Sequence, residues 1–126
     1  MLKQECNLSK ESAFLDIGSG LEKPNFHAAQ EGVGISLGVE LVNIRHFLLM
    51  KNLKNVIDRK CVMSSDSTSS DISPINVKGL NFINADIMKV QWLNPFTHIY
   101  QFDLGFEPEL HNYIANLFNK RFVFIF

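Results

Sequence analysis

The chain has almost no net charge, little cysteine and no long apolar run, and each shortage closes off a class of function. The formal charge is -1, so no overall field draws the molecule to nucleic acid or to a membrane surface, and any basic partner surface has to be local. Cys6 and Cys61 stand far apart without metal-type spacing. They read as free thiols in a reducing compartment, not as a disulfide framework. The four histidines, His27, His46, His98 and His111, lack ligand spacing and companion cysteines, so no metal centre is expected. No apolar stretch approaches membrane-spanning length, and Met1-Leu2-Lys3-Gln4-Glu5 has no signal-peptide core behind it. The expectation is therefore an intracellular protein without a membrane partner. No Ser/His/Asp or Cys/His set with supporting context suggests a hydrolase.

What is there is globular. An apolar fraction of 46% and a charged fraction of 20% over 126 residues suit one domain at most. Residues 1–12 are polar and read as an arm. Ala13 to Ile17 reads as a buried strand that exits through Gly18 and Gly20. Pro24 suits the first turn of a helix in which Phe26, Ala28 and Ala29 face a sheet, and Gly32 and Gly34 stop it. Ile35 to Glu40 is a second strand. Leu41, Ile44, Phe47 and Leu48 then recur at helical spacing, in a helix running to about Ile57. From about 59 to 78 the composition turns to Ser and Asp and reads as a flexible insertion. Leu80 to Ala85 and Thr97 to Phe102 are two further strands, ending in Asp86 and Asp103. Leu110, Tyr113, Ile114, Leu117 and Phe118 mark a helix over Pro108 to Asn119. Phe122 to Phe126 reads as a fifth strand, so apolar that it would be an aggregation hazard if uncovered, as in a fragment of a longer chain.

Strands alternating with helices predict an α/β fold with a parallel sheet. In such sheets a ligand binds outside the carboxyl ends of the strands. Asp16, Glu40, Asp86 and Asp103 would gather on that edge. Gly18-Ser19-Gly20 lets backbone approach a ligand with no Cβ in the way. Glu40 lies about twenty residues further on, the offset at which a carboxylate meets ribose hydroxyls. Asp86 is placed to accept from an adenine amino group, with Ile87 and Leu37 flanking the base. A dinucleotide wants a third glycine and a helix N-terminus free for pyrophosphate. Here Glu22 puts an anion where the pyrophosphate would arrive. The spacing thus favours an adenosyl ligand without phosphates, S-adenosyl-L-methionine. Lys23 is a candidate partner for that ligand's carboxylate, and His27 lies near the same edge.

The run Asp16-Ile17-Gly18-Ser19-Gly20 followed by Gly38-Val39-Glu40 resembles the class I S-adenosylmethionine-dependent methyltransferases. Phe106-Glu107-Pro108-Glu109 after the fourth strand is similar to the non-SET histone-lysine methyltransferases of the disruptor-of-telomeric-silencing type. The resemblance runs from about Ala13 to Phe126, the insertion excepted. It implies a Rossmann-like sheet, mostly parallel, with helices on both faces, here lacking the last antiparallel strand pair. It implies S-adenosyl-L-methionine held by Asp16, Gly18, Ser19, Gly20, Glu40, Leu41, Asp86 and Ile87, with Asp103 and Phe106 at the transferred methyl. The acceptor it implies is a protein lysine, possibly on a histone or nucleosome, and hence a nuclear location; otherwise the location is cytoplasmic. Three departures bear on activity: Glu22 replaces the family's third glycine, Asp103 stands where the histone enzymes carry asparagine, and the family's last antiparallel strand pair and the substrate-shaping segment before its first strand are missing here. The competing expectations are a degenerate module with little catalysis, and a methyltransferase of small molecules or RNA. The lack of a basic patch speaks against RNA, and no direct nucleic-acid site is evident.

Overall fold

The computed structural model describes residues 6–21, 23–63 and 77–122, the last residues of the two longer helices by backbone alone. The elements run β1 (Ala13–Ile17), α1 (Lys23–Gln30), β2 (Ile35–Glu40), α2 (Asn43–Met63), β3 (Leu80–Asn84), β4 (His98–Gln101) and α3 (Pro108–Phe122). Single 3-10 turns occupy Val77–Gly79 and Ile87–Lys89. The strands form one sheet in the order β3-β2-β1-β4, and all three pairings are parallel. This is an α/β, Rossmann-like arrangement of small size. Among the described residues no helix is long and apolar enough to cross a membrane.

β1 is buried along its whole length, as the centre of a sheet covered on both faces has to be. Strand alternation divides its side chains between two cores. Leu15 and Ile17 join Val39, Ile87, Leu93, Ile114 and Leu117, so α3 closes one face. Phe14 joins Leu8, Ala28 and Val33, so α1 closes the other. The Tyr113 hydroxyl donates to the Val90 carbonyl at 2.7 Å and fixes α3 to the segment after β3.

Several sequence expectations shift. Residues 6–12 are not a free arm: Leu8 is buried in the α1-side core, and Gly34 N–H donates to Ser12 O at 3.1 Å. In α1 the buried residues are Asn25, Ala28 and Ala29. Phe26 is half-buried and faces the sheet as expected, its ring against Phe82 of β3. The apolar spacing in α2 is real but faces the wrong way. Leu49 is fully buried, with Leu53 and Val56 following it partly buried, whereas Leu41, Ile44, Phe47 and Leu48 are exposed. Two apolar stripes share this segment, and periodicity alone cannot say which one meets the sheet. α2 also continues to Met63, into the segment expected as insertion. The rest of that Ser/Asp-rich tract, 64–76, lies outside the described residues. Phe122 ends α3 instead of opening a fifth strand, and 123–126 lie outside the described residues.

A buried polar contact seats α1 on β2. Asn25 Nδ2 donates to Ser36 Oγ at 3.0 Å, and Ser36 Oγ donates back to Asn25 O at 3.2 Å. Gly38 lies beside it because nothing larger fits: a Cβ there would stand 2.6 Å from Phe82 Cδ1 and 2.9 Å from Asn25 Oδ1. Gly38→Ala is expected to lower stability by about 1–3 kcal/mol through overpacking, read as a reduced urea midpoint at unchanged slope.

Candidate functional site

A cavity of about 940 Å³ opens at the carboxyl edge of the sheet. It lies where β1 and β4 are neighbours although the chain leaves β1 toward β2. That reversal of strand order leaves a crevice outside the strand ends.

Its floor is the turn after β1. Gly18 has φ +73° and Gly20 φ +53°, both left-handed, which glycine adopts without penalty. Gly18 N–H and Ser19 N–H both donate to Val39 O, at 2.9 and 3.0 Å, so the turn curls over the end of β2. A Cβ at Gly18 would meet Phe106 Cζ at 2.9 Å. Phe106 therefore lies directly over the turn, and its ring is tilted against His111 at 5.8 Å.

Glu40 is buried at the same edge. Its Oε2 accepts from Gly20 N–H at 2.9 Å and its Oε1 from Val42 N–H at 2.8 Å. The carboxylate thus ties the glycine turn to the entry of α2 with charged hydrogen bonds. Asn84 Nδ2 donates to Glu40 O at 2.8 Å and to Leu41 O at 3.1 Å, adding the end of β3 to the same knot. Asp86 caps the 3-10 turn that follows, its Oδ1 accepting from Met88 N–H at 2.9 Å.

Asp16 is 1% exposed, and its Oδ2 has no hydrogen-bond partner; neither does the buried hydroxyl of Ser19. Burial, and secondarily the Glu40 carboxylate, push the Asp16 carboxyl up to about 7. A hydrogen-bond donor or cationic group entering the cavity would oppose this rise.

The structure brings together Asp16, Gly18, Ser19, Gly20, Glu40, Leu41, Asp86, Ile87 and Phe106, all of which line this one cavity. Asp103 does not line it, although its neighbours Phe102 and Leu104 do. The Asp103 carboxylate stands 3.7 Å from His111 Nδ1. Leu37 lies in the core instead of beside a ligand. His27 is exposed away from the cavity, while Lys23 lines it. Glu22 lies outside the described residues. Sequence reasoning missed Arg45, Tyr100, Phe102 and Leu104, which also line the cavity. Tyr100 enters because it pairs in register with Asp16, and that register is not written in either strand alone.

Among the described residues no group of three or more His, Cys, Asp and Glu side chains is placed to hold a metal ion. No protein-family model matches the chain, and no curated protein matches it.

The raised carboxyl of Asp16 sets the sign of a pH effect. The folded state keeps this proton to about 7, whereas the unfolded chain loses it near the ordinary aspartate value, so stability falls as pH rises between the two. Asp16→Asn removes this slope. Its stability relative to the parent chain should improve by about 2–4 kcal/mol from about pH 4 to about pH 8, measured by urea unfolding of both proteins at each pH.

Proposed function

We propose that this domain binds S-adenosyl-L-methionine and transfers its methyl group to a protein lysine. The observation that carries the reading is the convergence of Asp16, Glu40 and Asp86 on a left-handed glycine turn within one cavity. The ligand's chemistry fits the groups present. Asp16 Oδ2 and Ser19 Oγ are buried acceptors without donors, and the ligand's ammonium supplies donors. Glu40 accepts from a ribose diol while keeping its backbone bonds, since each carboxylate oxygen takes two hydrogen bonds. Asp86 accepts from the adenine amino group, and Ile87 and Leu41 flank the base. Lys23 stands at the cavity wall to meet the ligand's carboxylate. No phosphate is needed, in keeping with the acids at this edge.

When bound, the ligand would supply an electrophilic methyl on its sulfonium and leave as the neutral thioether S-adenosylhomocysteine, the entering lysine ammonium first giving a proton to solvent so that its nitrogen lone pair can take the methyl. The chain's own part is positioning and the exclusion of water. Phe106, packed over Gly18, walls the reacting end. Asp103 lies outside the cavity beside His111 and takes no contact with the amine in this reading. Glu107 and Glu109 line the cavity with Phe106, and their charges favour a lysine over a neutral or anionic acceptor. The resemblance of Phe106-Glu107-Pro108-Glu109 to the histone-lysine enzymes supports a histone as that acceptor, and with it a nuclear place of action.

Calorimetric titration tests the binding step. S-Adenosyl-L-methionine should bind in the micromolar range, and Asp86→Ala should weaken it about tenfold through loss of one hydrogen bond to a charged group. Absence of heat at millimolar ligand, from protein with a native circular-dichroism spectrum, would leave a folded module without this cofactor.

A further inference from the structure

Five large apolar side chains stand exposed around the mouth of the cavity. Leu21 is 57% exposed, Leu41 62%, Val42 40%, Phe102 58% and Leu104 79%, and all five line it. Single exposed leucines are ordinary on protein surfaces. A ring of them around one opening is not, and such patches mark binding surfaces. They come from three separate connections: the turn after β1, the link from β2 to α2, and the link from β4 to α3. These meet because β2, β1 and β4 lie side by side with their carboxyl ends together. The ring is thus a product of the fold, not of one apolar segment.

Charge at the mouth is divided. Lys23 and Arg45 line the side of α1 and α2, and Glu107 and Glu109 line the side of α3. A cation is therefore drawn in along the β4–α3 side, where Phe102 and Leu104 are the exposed apolar groups.

Resting on the methyl-transfer reading above, in which Leu41 is taken up by the base, we infer that the acceptor is a polypeptide whose target lysine is flanked by apolar side chains, which seat on the Phe102 and Leu104 side of this collar while the lysine passes between Phe106 and the acids. A free small amine leaves the collar uncovered, and a lysine among polar neighbours gains nothing from it. Phe102 and Leu104 are the specificity-determining residues, selecting the sequence around the lysine.

Fluorescence anisotropy on the full chain, with S-adenosylhomocysteine present, tests this with two labelled peptides of equal charge. In one a single lysine is flanked by leucines; in the other it is flanked by serines. The leucine-flanked peptide should bind at least about tenfold more tightly, the equivalent of one apolar side chain buried. Replacing both exposed residues, Phe102→Ser with Leu104→Ser, should bring the two affinities together without unfolding the protein. Equal affinities for the parent chain, or no binding of either peptide, would overturn the inference. So would sedimentation showing a dimer that the double substitution dissociates, since the collar would then serve a second copy of the chain. Calorimetry with the cofactor separates the two readings. Cofactor binding without peptide discrimination defeats the collar alone, and peptide discrimination without cofactor binding defeats methyl transfer alone.

Discussion

The site depends on one buried carboxylate. Glu40 accepts from Gly20 N–H on one oxygen and Val42 N–H on the other, so it joins the turn after β1 to the entry of α2. With Gly18 and Ser19 bonded to Val39 O, the turn is held in place before any ligand arrives. In the proposed reading, the residue that recognises a ribose is thus also the one that shapes the cavity floor. Preorganisation of this kind lowers the ordering cost of binding.

Burial, and secondarily the Glu40 carboxylate held beside it, makes Asp16 difficult to ionise. The two acids share the carboxyl ends of neighbouring strands, and Asp16 has neither a cation nor a full set of donors. Such a group is a poor contributor to stability in the free protein and a strong attractor for a cationic or donor-rich ligand. The arrangement places an unfavourable feature where binding can relieve it.

Much of this was legible in the sequence because it is carried by local signals. The pairing of an apolar strand with a glycine exit at Gly18 and Gly20, the acid at Glu40 and the acid at Asp86 each announce themselves within a few residues, and a parallel sheet brings strand ends to one edge. The helix from Pro108 to about Asn119 was legible for the same reason, its apolar stripe having no competitor, but its continuation to Phe122 was not. α2 has two stripes, and only the sheet decides that Leu49 faces inward while Phe47 and Leu48 do not. Tyr100 beside Asp16, Phe106 over Gly18 and the ring of Leu21, Leu41 and Leu104 arise from strand order and register, which single segments do not encode. Leu8 was hidden by its polar neighbours.

The seat of β1 also has a consequence for synthesis. Its neighbours are β2, which follows at once, and β4, which begins at His98. Ala13 N–H and Thr97 Oγ1 are joined across 84 positions of chain. A nascent chain that has already emitted β1, α1, β2 and β3 still presents the central strand with one open side. That side closes only when residues around 98–101 leave the ribosome, so the most apolar strand in the sheet waits longest for its second partner. During translation the vulnerable surface is therefore the middle of the finished sheet and not its rim.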